Sequence, residues 1–408
     1  MPEIAAKLIT NVVDNTVRKA GNTAGREVAE KAVKEAFGKD VKDIATKGIV
    51  KATEAPLVEL PKIKLRNKVE LLVGANANID APRLSPDKKS LTYVVRETKD
   101  ISSWIKRLLG LPVDEPTERM TAWIAPVDGK AAPEKIAGRS FHNVVEPSFT
   151  PDGKSIIYCE QKNLPLLGGR GEKLKEMRLD QRDLATGKVT TIYDGELTLL
   201  HPMYSPDGKQ IAAYARNIKG EEGLYLLDAT KPGSKPVRLT MGDDKHPVWS
   251  NDGKKIYFHN QVGGDAAAGA DGAEHAWVGM VDLADPKNPK RIMLDDVNSP
   301  FFHKHPTPLP DSDLVVYHST ADDKTKLEVL NTVTGQRGRL DLEGTSPNGS
   351  PLKKFKHAQF SSDGEDLVMV AKAGKKDELN RGIPEFNRVY VLQEANQIVA
   401  AFKSVFGG

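Results

Sequence analysis

The chain has 408 residues, a formal net charge of +3 from 59 Lys and Arg against 56 Asp and Glu, and 39% hydrophobic residues. That balance excludes the dense basic footprint of a nucleic-acid binder and the polar excess of a disordered chain, and no stretch reaches the ~18 apolar residues of a membrane span, so a soluble globular protein is expected. A single cysteine, Cys159, excludes internal disulfides and cysteine-rich metal sites.

The chain opens with helical periodicity. Ile4, Leu8 and Val12 recur at i+4, followed by Val28, Ala32 and Ala36 and then by Val41, Ala45 and Ile49. Breaks at Gly21-Asn22 and Gly38-Lys39-Asp40, with Pro56 and Pro61 beyond, predict a helical extension over residues 1–60. Charged Glu3, Lys7 and Asp14 interrupt the first apolar face, so nothing there reads as a secretory signal. The expectation is a cytoplasmic protein, or one exported by a route that uses no cleavable signal. Small apolar faces of this kind bury little alone, so the extension docks on the rest of the chain or on a second partner.

From residue 81 onward one pattern recurs. The stretches are Ala81-Pro-Arg-Leu-Ser-Pro-Asp-Lys, Glu146-Pro-Ser-Phe-Thr-Pro-Asp-Gly, His201-Pro-Met-Tyr-Ser-Pro-Asp-Gly, His246-Pro-Val-Trp-Ser-Asn-Asp-Gly, His305-Pro-Thr-Pro-Leu-Pro-Asp-Ser and His357-Ala-Gln-Phe-Ser-Ser-Asp-Gly. Their shared aspartates are separated by 65, 55, 45, 59 and 52 residues, which suits four strands and their turns per copy. Within a copy, Pro presets one turn dihedral, Asp bonds the following backbone, and Gly accepts positive φ. Alternating or continuous apolar runs such as Ser155-Ile-Ile-Tyr-Cys supply the flanking strands.

These residues resemble the TolB-type propeller repeat, whose signature is Ser-Pro-Asp-Gly-Lys after an aromatic and before an apolar strand. The resemblance covers about residues 62–394 and implies a six-bladed β-propeller of four-stranded antiparallel blades. The last copy has three visible strands, so residues 65–73 are expected to complete blade six and latch the ring. Residues 395–408, with Ile398, Phe402 and Val405 at helical spacing, are expected to form a C-terminal helix.

Chemistry concentrates in the residue that opens each inner strand. His201, His246, His305 and His357 hold that slot in four consecutive copies, with Glu146 and Ala81 in the other two. The slot should face the propeller axis, on the side that carries the long loops: residues 97–118 with Trp104 and Arg107, residues 161–174 with Arg170, and residues 261–275. Trp104, Arg107, Arg170 and Glu146 are therefore the candidate binding face for a protein or peptide. Two readings of the histidines stay open. They hydrogen-bond neighbouring blades, or they converge on a divalent metal such as Mn, Zn or Ni, with His246, His303, His305 and His357 as ligands. Alternation along an extended chain would keep His303 on the side of His305. His142, His259, His275 and His318 fall off this register and read as surface or packing residues.

The arrangement is also similar to oligogalacturonate lyases, propellers whose manganese site uses a lone His from one blade and a His-x-His pair from another. That resemblance implies His246 with His303 and His305 on the metal, His201 as the catalytic base and Arg178 as a substrate-binding arginine. The sequence thus supports a binding scaffold first, with a metal-dependent lyase or hydrolase acting on an acidic saccharide as the alternative. Cys159, in a continuous apolar run, reads as core rather than as a nucleophile.

Overall fold

The computed structural model describes residues 57–64, 78–99, 117–137, 142–162, 177–216, 222–262, 275–295, 302–321, 324–344, 351–373, 386–392 and 395–406. The helices expected before residue 57, the latch at residues 65–73, and Trp104, Arg107 and Arg170 lie outside them.

The described chain is mainly β. Two short strands come first, β1 (Val58–Glu59) and β2 (Ile63–Lys64). Three separate four-stranded antiparallel sheets follow: β3 (Asn78–Leu84), β4 (Ser90–Lys99), β5 (Thr117–Pro126) and β6 (Glu134–Lys135); β7 (Val144–Phe149), β8 (Ser155–Gln161), β9 (Met177–Asp183) and β10 (Val189–Tyr193); β11 (Thr198–Tyr204), β12 (Gln210–Arg216), β13 (Gly223–Asp228) and β14 (Val237–Arg238). Next come β15 (Asp244–Trp249), β16 (Lys255–Val262), β17 (His275–Asp282) and β18 (Lys290–Met293), then β19 (Phe302–Pro308), β20 (Leu314–Ala321), β21 (Lys324–Asn331) and β22 (Arg337–Arg339). A single parallel bridge, Ala276 to Phe302, joins these last eight strands, and β1 adds to β22, giving one nine-stranded sheet. After β23 (Leu342–Glu343), the sheet of β24 (Lys353–Phe360), β25 (Leu367–Ala373) and β26 (Phe386–Leu392) has three strands. Four sheets thus stand apart as blades, in a propeller-like arrangement, and the last of them packs back on β3.

The hairpin between the first two strands of each blade is fixed locally. Ser85, Thr150, Ser205, Ser250 and Ser361 each donate to the carboxylate two residues on, at 2.6–2.7 Å, and that carboxylate also accepts the backbone N–H two residues further along. Gly153, Gly208, Gly253 and Gly364 take φ between +68° and +74° in these turns, and Lys88 holds the same place at +59°. The turn at Pro310 is built differently: Asp311 is the left-handed residue, and Ser312 donates to the Leu309 carbonyl.

Apolar faces of adjacent sheets meet in shared clusters, one of which runs from Val145 through Leu200 and Trp249 to Val281. Trp249 Nε1 donates to the Met203 carbonyl at 3.1 Å, so its indole is satisfied where it is buried. Cys159 is fully buried, and burial pushes its thiol well above the usual range, consistent with a core residue.

The C-terminal helix forms where expected, as α1 (Asn396–Phe406). Ile398 and Phe402 are buried, but Val405 is exposed, and it is Phe406 that meets Phe402, with ring centroids 4.6 Å apart. α1 shares its cluster with Leu60 and Ile63. At its C-terminal end the span expected to be helical, residues 1–60, differs from the structure, since Val58–Glu59 pairs in parallel with β22; just beyond it Ile63–Lys64 pairs with β23.

Candidate functional site

Every inner strand carries the same irregularity. In β3, β7, β11, β15, β19 and β24 two residues stand opposite one on the neighbouring strand, as where His201 and Pro202 face Ala213, and His246 and Pro247 face Phe258. Such a bulge re-aims the side chain at its first position. The first positions are Ala81, Glu146, His201, His246, His305 and His357, all at φ between +47° and +58°. A left-handed non-glycine residue costs about 1–2 kcal/mol, so the surrounding ladder imposes this conformation six times over. Pro follows in five of the six and lacks the N–H that the bulge leaves unpaired.

The six re-aimed residues line one cavity, together with Arg83 and Val248. His201 Nδ1 lies 2.6 Å from Glu146 Oε1, and the Glu146 carboxylate also accepts the His201 backbone N–H. The imidazoles then follow in series, with ring centroids 3.4 Å apart for His201 and His246, 4.1 Å for His246 and His305, and 3.9 Å for His305 and His357. His357 Nε2 ends the series 2.7 Å from Asp80 Oδ1. A carboxylate therefore anchors each end. Arg83 fills the space beside small Ala81, donating to Gln359, and burial lowers its guanidinium to about 10 against the pull of Glu146.

Two further histidines join the cluster, from strand positions whose sequence reads as surface or packing. His259 is fully buried, 4.8 Å from His246 and 5.2 Å from His305 between ring centroids, and His318 places its Nδ1 3.2 Å from His305 Nδ1. Both are packing residues, the second of those two readings. Both sit on the second strand, thirteen residues after a slot histidine, where His201 is followed by Tyr214 and Glu146 by Cys159. That constant offset was the available signal.

His303 goes the other way. The bulge after Lys304 breaks the alternation that would have kept it beside His305. Its Nδ1 hydrogen-bonds Asp295, Nε2 lies 3.8 Å from Glu328, and its ring packs 5.0 Å from Tyr317. Arg178 is likewise engaged within its own sheet, donating to Asp180 and Glu160 at 2.7 Å each. Among the off-register histidines, His142 bonds the Gln161 carbonyl at 2.5 Å, and His275 stacks on Trp277.

Burial, followed by repulsion from neighbouring imidazoles and from Lys304 and Lys245, holds His246, His259, His305 and His318 well below the ordinary histidine range. His357 is lowered less, because Asp80 opposes its burial. The rings of His246, His259, His305 and His318 are thus uncharged at neutral pH, which suits ligation or hydrogen bonding rather than charge pairing.

No protein-family model matches the chain. The Tol-Pal system protein TolB of Francisella tularensis subsp. tularensis (strain WY96-3418) is 26% identical over 137 residues, which is 32% of this chain and 29% of that protein. The chain resembles TolB. The match spans less than a third of the length of that relative. Among solved structures, TolB from Acinetobacter baumannii aligns over 91% of this chain and 70% of its own, at 17% identity and a TM-score of 0.45. A TolB-like protein from Agrobacterium tumefaciens aligns over 78% and 90%, at 16% identity and a TM-score of 0.48.

Proposed function

We propose that the protein is a binding scaffold: a propeller of six units that receives a protein or peptide segment at the histidine-lined mouth. The nine-stranded sheet is read as two blades, β15–β18 and β19–β22, since only one parallel bridge joins them. The observation that carries the reading is the convergence of six left-handed slot residues, one from each copy, on a single cavity. Strain repeated six times at one place is expected where a site must be pre-organised. Similarity to a Tol-Pal system protein supports a protein-binding scaffold. In this reading Glu146 and the slot histidines form the floor of the mouth.

Selection from a displayed random-peptide library tests it. Peptides enriched on the wild-type protein are expected to bind a Glu146→Gln/His201→Ala variant at least tenfold more weakly. Enrichment of no peptide, or equal affinity for both proteins, would refute a peptide-receiving mouth.

A further inference from the structure

We propose a divalent transition-metal site formed by the imidazoles of His246, His259 and His305, independent of whether the mouth receives a peptide. One ring nitrogen from each of the three lies within 4.8 Å of the others. Imidazole nitrogens bound tetrahedrally at about 2.0–2.1 Å from zinc stand about 3.4 Å apart, so side-chain rotation of an ångström or so closes the set.

Two observations point to an ion rather than to a hydrogen-bonded cluster. His246 Nδ1 and His259 Nε2 are buried and have no hydrogen-bond partner among the described residues. Buried polar atoms are ordinarily satisfied, and two orphan ring nitrogens in one cluster mark a place for a bound group. The second is the backbone: His246 and His305 are aimed by bulges at φ +53° and +52°, so their direction is set by the ladder and not by rotamer choice alone. His259 Nδ1 lies 3.4 Å from the His305 backbone nitrogen, a long contact. Ligation through Nε2 moves the ring proton to Nδ1 and gives that contact up.

Glu146, His201 and His246 make a second close group. Its carboxylate, however, is already engaged by the ring and the backbone N–H of His201, which leaves His246 to turn toward His259 and His305. Three imidazoles with no carboxylate and no thiolate select zinc, nickel, copper or cobalt over magnesium and calcium. His246 and His305 also line the cavity, so a fourth coordination position opens on the mouth, available to water or to a donor atom of a ligand.

The test uses tag-free, chelator-treated full-length protein titrated with zinc chloride alone by calorimetry, and with cobalt chloride by visible absorption. One equivalent of zinc at micromolar affinity or tighter is expected, with the intense visible bands of tetrahedral cobalt. His259→Gln should weaken zinc binding at least tenfold, and His275→Gln should leave it unchanged. No stoichiometric binding to the wild-type protein, or octahedral cobalt spectra, overturns the site without reliance on any variant. Binding that survives His259→Gln and is lost in Glu146→Gln overturns it in favour of the second group.

Discussion

His357 Nε2 lies 2.7 Å from Asp80 Oδ1, so a residue of the last inner strand is tied to a residue of the first. Arg96 at 3.1 Å and Lys356 at 3.9 Å complete the shell around the same carboxylate. Burial by itself would raise Asp80, but His357, Lys356 and Arg96 together hold it well below the usual carboxylate range. A depressed folded-state value means that Asp80 contributes stability above its unfolded value of about 4 and loses it as pH falls below that. Asp80→Asn leaves Lys356 and Arg96 without their shared counter-charge and His357 without its carboxylate partner. We expect a loss of about 3 kcal/mol in urea unfolding at pH 7, narrowing toward pH 3. A loss under about 1 kcal/mol at pH 7 would mean that apolar packing alone closes the circle.

The histidine cluster gives the metal-free protein an acid-labile centre. His246, His259, His305 and His318 are held well below their unfolded value, and His357 below it, so the unfolded chain binds more protons in acid. Stability therefore rises with pH up to about 6.5 and is lost as pH falls from there, by up to about 1.4 kcal/mol per pH unit for each histidine that stays neutral in the fold. Thermal midpoints measured in chelator at pH 7.5 and 5.5 should drop steeply, and a His259→Gln/His318→Gln variant should drop less. Equal midpoints at the two pH values would show that the folded rings take up protons freely.

Much of this was legible because it is short-range. The Ser-to-Asp turns are decided within five residues, and the slot histidines recur in register with them. What escaped depended on where the bulges turn side chains and on contacts between distant parts of the chain. Strict alternation would set His303 beside His305, whereas the intervening bulge turns His303 toward Asp295. His259 and His318 belong to the cluster only because they stand on the second strand beside the bulge. Lys88 replaces the turn glycine of other copies, and its partners Asp363 and Glu365, each at 2.6 Å, lie at the far end of the chain. Nor could the pairing of residues 58–59 with 338–339 be read locally.

The left-handed slot can be tested where its side chain does least. Ala81 sits at φ +47°, with no polar group to lose. Glycine there removes a strain of about 1–2 kcal/mol and costs about 1 kcal/mol or less in unfolded-chain entropy. Ala81→Gly should thus be neutral to about 1 kcal/mol stabilising in denaturant unfolding. Ala212→Gly, in the fully buried part of β12, should be destabilising by about 1 kcal/mol or more. If Ala81→Gly destabilises as much as Ala212→Gly, the slot is not a strained position.

The segment 58–64 is held on the outer edge by one close approach. A Cβ on Gly338 would lie 2.6 Å from Leu60 Cδ2, closer than carbon atoms tolerate, and Leu60 is buried there with its amide donating to the Arg339 carbonyl at 2.9 Å. Gly338→Val therefore expels the Leu60 side chain and takes β1 off β22, forfeiting about 2 kcal/mol of apolar burial. Hydrogen exchange at the Leu60 and Ile63 amides should accelerate, while exchange at core amides such as Ile211 stays slow. Leu60→Ala in the same chain makes room for the new methyl groups, so it should restore part of the protection if collision is the cause. Unchanged exchange at Leu60 in Gly338→Val would mean that the parallel ladder, not the glycine, seats the segment, and that residues 57–64 are fixed by their backbone alone.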